Sequence, residues 1–352
     1  MKYLGLFIML AGLAPVCAET EIAATRTLAF TADLRANGAL PPGDNLIEQC
    51  VPFRDSLYFL VKLRRSGDRQ GSLIVITDES GRLRRRFPLA VANPVSICGV
   101  AERRVRLFQI PDGRPVVVDY DHYGNLLASY ESEVPLAGVT EAPSGAVVAA
   151  LTDGRLAILS LEDGKAVVRR SLDMKIAAGE QLCWGCPKQY KLLPGGFSWV
   201  WFSPDRVGMI FHGTAALYSF DLARWEVEKT LLRSPKIEQS VAYFDARRQR
   251  LRELSPHSRT AQGIVVLSAA VDSDGTLLVL SSPHWNRRAI VERFDARGRH
   301  LESLVCPLEG LGGADGRPMP YLVAVSGKRL TLICRRPALL AAYGRSVRAL
   351  LK

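Results

Sequence analysis

Short apolar runs recur along the chain, most of them alternating or β-branched, and tight polar turns divide them. Leu73–Thr77 reads Leu-Ile-Val-Ile-Thr and Val116–Tyr120 reads Val-Val-Val-Asp-Tyr. Such runs predict β-strands. The turn that joins them has its own pattern, Asp-x-x-Gly. It stands in Thr77–Leu83 (T-D-E-S-G-R-L), Tyr120–Leu126 (Y-D-H-Y-G-N-L) and Phe294–Leu301 (F-D-A-R-G-R-H-L). Looser copies stand at Leu161–Lys165, Phe220–Trp225 and Ala342–Val347. The Asp side chain can cap the backbone two residues on, and Gly accepts a positive φ without steric cost. Each copy therefore predicts a β-hairpin.

The hairpins belong to a longer unit. Asn45–Cys50 and Asn93–Cys98 begin alike, 48 residues apart, and each leads into an apolar strand, Leu57–Leu63 or Val105–Ile110. Leu136–Glu141 before Val147–Leu151 repeats the arrangement, as does Tyr321–Val325 before Leu330–Arg335. Two strands followed by a hairpin make a four-stranded unit. Six units are expected, near 45–89, 93–131, 135–172, 190–232, 240–305 (with a detour at Ala246–Thr260) and 320–351. Repetition of such sheets about an axis predicts an all-β fold, a six-bladed β-propeller of four-stranded antiparallel blades. Thr25–Phe30 is expected to pair with the last blade and close the ring. The domain reading is 1–18 a signal peptide, 19–44 an N-terminal strand and connector, and 45–352 the propeller.

On Asp78/Gly81, Asp121/Gly124, Asp295/Gly298 and the weaker copies, the chain resembles six-bladed propellers of the NHL-repeat and TolB-like type. The resemblance spans most of 45–351 and implies architecture. It implies no one activity, because similar folds serve as binding modules, scaffolds, lactonases, lyases and hydrolases.

Residues 1–18 look like a secretory signal: Lys2, an uncharged apolar stretch Leu4–Leu13, then Val16 and Ala18 at a cleavage site. The apolar stretch is too short to span a bilayer, and no other approaches membrane length. Cys17 follows Ala14-Pro15-Val16, a poor lipobox. A periplasmic or secreted location is expected, with no transmembrane segment in the mature chain. The net charge is +11. Arg far outnumbers Lys, as in proteins of GC-rich bacteria, and the same excess suits an anion-binding surface. Basic residues are spread out, without the aromatic interleaving of nucleic-acid modules, so no nucleic-acid partner is expected.

Six cysteines lie beyond the signal, and an even number in an exported chain suggests disulfides. The blade alignment suggests the pairs Cys50–Cys98, Cys183–Cys186 and Cys306–Cys334. Cys183-Trp-Gly-Cys186 is followed by Pro187, which excludes haem attachment, and has no second pair for zinc. A local structural bridge is the expected use.

No G-x-S-x-G elbow is present. Gly196-Phe-Ser198-Trp-Val departs from it at the last position and falls in a strand. His122 and His300 are expected in solvent. His284, Trp285, Arg287 and Arg288 share one loop of the fifth unit, and Trp184 and Lys188 lie in the long connector before the fourth. Arg64, Arg65 and His212 occupy equivalent loops of the first and fourth units. These nine residues make up an expected ligand-binding face, with stacking and anion contacts to offer. Trp199 and Trp201 are expected to pack between blades. Glu48, Asn93 and Glu141, at the ends of inner strands, are the candidates for a channel Ca²⁺, although no calcium-loop motif exists. Two functions follow. The first is an exported, non-catalytic, cofactor-free module that binds a protein or an anionic glycan. The alternative is an extracytoplasmic metal-dependent hydrolase or lyase with its site in the channel.

Overall fold

The computed structural model describes residues 19–21, 24–28, 44–64, 71–89, 94–174, 196–254, 265–281, 288–307, 320–326, 329–335 and 338–344. Two short strands come first, β1 (Glu19–Glu21) and β2 (Ala24–Leu28). Blade 1 follows with β3 (Asp44–Phe53), β4 (Ser56–Arg64), β5 (Gly71–Asp78) and β6 (Leu83–Pro88). Blade 2 comprises β7 (Pro94–Ala101), β8 (Arg104–Gln109), β9 (Val116–Tyr120) and β10 (Leu126–Ser132). Blade 3 comprises β11 (Leu136–Glu141), β12 (Val147–Leu151), β13 (Arg155–Glu162) and β14 (Lys165–Asp173). Blade 4 comprises β15 (Phe197–Ser203), β16 (Arg206–Phe211), β17 (Ala216–Asp221) and β18 (Glu226–Leu231).

Helix α1 (Pro235–Leu254) then leads to blade 5, made of β19 (Val266–Val271), β20 (Leu277–Ser281), β21 (Arg288–Phe294) and β22 (His300–Pro307). Blade 6 supplies β23 (Pro320–Ser326), β24 (Arg329–Arg335) and β25 (Ala338–Gly344). Each blade runs antiparallel from its innermost strand outwards. The fold is the expected six-bladed β-propeller.

The N-terminal strands complete the ring. Strand β2 pairs antiparallel with β25 as the outermost strand of blade 6, which is the expected closure. Strand β1 adds in parallel to the outer edge of blade 5, with Glu19 opposite Ser303. Blades 2 and 3 are joined at their outer edges, where β10 and β14 pair in parallel.

The Asp-x-x-Gly turns close as their residue types require. Asp78 Oδ1 accepts the N–H groups of Ser80 and Arg82 at 2.8 and 2.9 Å. Asp121 and Asp295 do the same for the residues two and four further on. Gly81, Gly124 and Gly298 sit at φ of 80°, 92° and 77°. In blade 4 the turn is one residue longer, and Trp225, four residues after Asp221, carries the positive φ of 63° beneath the Arg170 guanidinium at 4.4 Å. Of the Ala342–Val347 copy, Ala342–Gly344 belong to β25, whose outer neighbour is β2, and Arg345–Val347 lie outside the described residues.

The core lies between blades. Alternate residues of each strand face opposite neighbours. Leu60, Ile74 and Ile76 of blade 1 thus meet Val105, Leu107 and Val118 of blade 2. Val207, Met209 and Tyr218 of blade 4 meet Val148 and Ala150 of blade 3. The fifth unit departs from expectation. The start assigned to it, and the detour as far as Leu254, belong to helix α1, which Ser234 caps by accepting the Ile237 N–H at 3.1 Å; the rest of the detour, to Thr260, lies outside the described residues. Ile237 anchors the helix in the core between blades 4 and 5.

Candidate functional site

The six innermost strands, β3, β7, β11, β15, β19 and β23, surround a channel of about 1050 Å³. Its wall is mostly apolar: Ile47 and Val51 of blade 1, Trp199 of blade 4, Leu267 of blade 5, Val323 of blade 6. Polar side chains along the wall join one blade to the next. The Gln49 amide donates to Ile97 O at 3.0 Å and accepts from Ile97 N at 2.6 Å, fastening blade 1 to blade 2. Trp201 Nε1 donates to Thr140 Oγ1 at 3.0 Å, fastening blade 4 to blade 3. Both expected tryptophans do pack between blades 3 and 4. Gly138 leaves room for them, since a Cβ there would lie 2.9 Å from the Phe197 ring and 3.4 Å from Trp199 Nε1.

The strongest electrostatic feature lies where blade 2 meets blade 3. Arg106 grips Asp119 with two hydrogen bonds of 2.7 Å. It also reaches Glu141 Oε1 at 3.0 Å, and Arg104 bonds the same carboxylate. Arg106, Asp119 and Glu141 are all buried. Burial pushes the Glu141 carboxyl above its ordinary range, against the pull of Arg106 and Arg104. Glu141 Oε2 and Arg104 Nε have no hydrogen-bond partner. Glu141 Oε2 is turned onto Gly99, where a Cβ would come within 2.7 Å. This carboxylate, a candidate for a channel cation, is therefore committed to two guanidinium groups. Glu48, another candidate, faces Lys62 Nζ at 3.5 Å. Asn93 lies outside the described residues. Among the described residues no cluster of three or more His, Cys, Asp or Glu side chains is placed to hold a metal.

Of the expected ligand-binding face, Arg65, Trp184, Lys188, His284, Trp285 and Arg287 lie outside the described residues. Arg64 ends β4, His212 follows β16 and Arg288 opens β21, so all three stand at the end of the ring that carries the turns between second and third strands. Arg288 is exposed. His212 instead lines the channel, where Ser198 Oγ is 2.8 Å from its Nε2. Its backbone is held on both sides, by Gly196 O at 3.0 Å and by the N–H groups of Val265 and Val266 at 2.7 and 2.9 Å. Burial lowers its pKa to about 4, so the ring is neutral at pH 7. A base that weak accepts a serine proton poorly. The pair reads as a satisfied polar contact on the channel wall.

The other two described histidines are not in open solvent. Nε2–H of His122 donates to Ala101 O and Glu102 O, both at 3.0 Å, while the Tyr58 hydroxyl donates to Nδ1 at 3.2 Å. His300 is buried, with Nε2 at 2.8 Å from Glu292 Oε2. Glu292 also accepts from Ser303 Oγ at 2.6 Å and from Ser234 Oγ at 2.8 Å. The Tyr58 contact of His122 was hidden in sequence because its partner lies in another blade, whereas His300 and Ser303 meet Glu292 across the β21–β22 hairpin.

The cysteine pairing needs correction. Cys50, Cys98 and Cys306 are free thiols, so the bridges Cys50–Cys98 and Cys306–Cys334 are not formed. Cys50 packs with Phe59 and Val61 on the face of blade 1 turned away from blade 2. Cys98 packs with Val139 and Ala149 on the face of blade 2 turned towards blade 3. The register of β7 shifts between Ile97 and Gly99, and this bulge sends Cys98 the opposite way from its aligned partner. Cys306 is packed among Leu304, Val323 and Val325 between blades 5 and 6. Burial holds all three thiols well above the ordinary range, hence protonated. Cys183 and Cys186 lie outside the described residues.

No protein-family model and no curated protein matches the chain. Solved structures do. The Cps50 (Swd1) β-propeller domain of Myceliophteria thermophila is 12% identical, over 91% of this chain and 98% of that one, with a TM-score of 0.48. Virginiamycin B lyase from Staphylococcus aureus, solved with quinupristin, is 9% identical over 87% and 97%, at 0.49. BamB from Moraxella catarrhalis is 10% identical over 87% and 99%, at 0.44. The likeness is one of fold.

Proposed function

We propose that this chain is an exported β-propeller that binds an acidic macromolecular partner, a protein or an anionic glycan, and performs no chemistry of its own. The observation that carries the reading is how the channel spends its polar groups. Gln49, Thr140, Trp201, Arg104, Arg106 and Glu141 join neighbouring blades. Glu48 has a lysine beside it. The neutral His212 is satisfied by Ser198. Acid–base or metal catalysis needs such groups turned towards a substrate, and these are turned towards each other. The net charge of +11 supports an acidic partner. The reading includes no resident metal.

The test is retention of the mature protein on an immobilised sulfated polysaccharide and on its uncharged parent polymer, at rising salt. Retention on the sulfated form alone, released as ionic strength rises, is the expected result. Passage through both resins at low salt overturns the reading for glycans and for polyanions in general.

A further inference from the structure

An aspartate followed by glycine can react with its own backbone. The glycine nitrogen attacks the aspartate side-chain carbon Cγ, an N–Cγ bond forms, and the carboxyl OH leaves with the amide hydrogen as water. The resulting succinimide ring then takes up water at either carbonyl. Attack at Cγ restores aspartate. Attack at the main-chain carbonyl leaves isoaspartate, in which the backbone runs through the side chain and is one atom longer. Glycine favours the first step because it has no side chain to crowd the nitrogen. The sequence has five such dipeptides: Asp112–Gly113, Asp153–Gly154, Asp163–Gly164, Asp274–Gly275 and Asp315–Gly316. The last lies outside the described residues.

The other four divide into two pairs. All four aspartates are exposed, so water reaches each and exposure does not choose among them. At Asp153 and Asp274 both reacting groups are held. Asp153 accepts from the Arg155 N–H at 3.1 Å and from Arg155 Nε at 2.8 Å, while the Gly154 N–H donates to Leu151 O at 3.0 Å. Asp274 accepts from the Thr276 N–H at 2.9 Å, and the Gly275 N–H donates to Asp272 O at 2.9 Å. Among the described residues nothing hydrogen-bonds or pairs with the carboxylate of Asp112 or of Asp163. These two also sit at positive φ, 48° and 49°, where a residue with a side chain is strained, and Asp153 and Asp274 do not.

We propose that Asp112 and Asp163 are sites of spontaneous isomerisation in the folded protein, and that the fold protects Asp153 and Asp274. Ring closure requires the aspartate to leave its present backbone conformation and to turn its carboxyl onto the next nitrogen. At Asp112 and Asp163 the first movement releases strain and the second breaks no carboxylate contact. At Asp153 and Asp274 the same movements cost hydrogen bonds. The two open sites differ in consequence. Asp112 lies in the turn between β8 and β9, on the end of the ring that carries Arg64, His212 and Arg288. The added backbone atom reshapes that end and leaves its charge as it was. Asp163 lies in the turn between β13 and β14, where Gly164 O accepts the Glu131 N–H at 2.9 Å beside the parallel pairing of β10 with β14. An extra backbone atom there loosens the join between blades 2 and 3. The proposal is independent of the partner that the propeller binds.

The test is to hold the mature protein at neutral pH and physiological temperature, withdraw samples over several weeks, and locate isoaspartate by electron-transfer fragmentation of the peptides. Isoaspartate should form at Asp112 and Asp163 roughly tenfold faster than at Asp153 and Asp274, the factor that one or two hydrogen bonds impose on a rate. In guanidinium chloride, where the fold is gone, the four rates should converge. Arg155→Ala, which frees the Asp153 carboxylate from its guanidinium, should speed that site about threefold, the worth of an exposed ion pair. The Glu131 amide should exchange with solvent faster in the aged protein than in the fresh one. Thermal midpoints check that the incubated samples and the variant are folded. No isoaspartate at Asp112 and Asp163, equal rates at the four sites, or a preference that persists in guanidinium chloride overturns the proposal. An Asp153 rate indifferent to Arg155→Ala overturns the protection assigned to that contact, and unchanged Glu131 exchange overturns the effect assigned to Asp163.

Discussion

At the scale of single residues, the turns are where sequence and structure agree most closely. Asp and Gly at fixed spacing dictate a backbone path whatever surrounds them, so Asp78, Asp121 and Asp295 were legible from the chain alone. Gly298 carries two demands, a φ of 77° and a Thr230 methyl 2.6 Å from where a Cβ would stand. Gly113 carries only the first, at φ 82° with open space around it. Urea unfolding should therefore show Gly113→Ala costing about 1 kcal/mol, and Gly298→Ala clearly more. Equal losses would mean that the Thr230 contact relaxes freely. His212 gives a pH prediction. In the unfolded chain it titrates near 6.5, but in the fold only near 4. Between those values the unfolded state binds more protons, so stability falls as pH drops from about 6.5 to about 4. The loss is on the order of 3 kcal/mol. His212→Gln should flatten that part of the stability–pH curve; an unchanged slope would assign the acid sensitivity elsewhere.

At the scale of elements, the strands were legible because each is a burst of β-branched or alternating residues, and α1 was not. Its sequence leaves Val241 and Tyr243 exposed and gives no clean apolar stripe. What fixes the helix is tertiary: Ile237 in the core and Ser234 at the cap. Ser234 has two tasks, accepting the Ile237 N–H and donating to the buried Glu292. Ser234→Ala should cost about 1–2 kcal/mol and raise amide exchange in the first turn of α1. A loss confined to blade 5, with α1 protection intact, would show that only the Glu292 contact matters. The cysteine pairing failed at this same scale. Period-2 alternation predicts facing only while the register holds, and a single bulge at Cys98 reverses the side. The ion cluster of Arg104, Arg106, Asp119 and Glu141 was equally hidden, because charged residues at strand ends read as solvated until the next blade is placed over them.

At the scale of the whole molecule, the resident-metal question has a direct measurement. Thermal unfolding of the mature protein with and without a chelator, paired with metal analysis, should give one midpoint and no stoichiometric metal. A lower midpoint with chelator, and about one metal per chain, would favour a channel enzyme. The ring also has a history written into it. Its seam joins β2 to β25, with Leu28 opposite Leu340. In a chain that emerges from its N-terminus, β2 has no partner until β25 has been made, after the blades between them. Those blades can stack early through local pairings, yet the circle shuts only by a contact between segments far apart in sequence, which is a slow kind of step. Until then two raw β-edges stay open, and the newborn protein is exposed there to proteases and to its own neighbours.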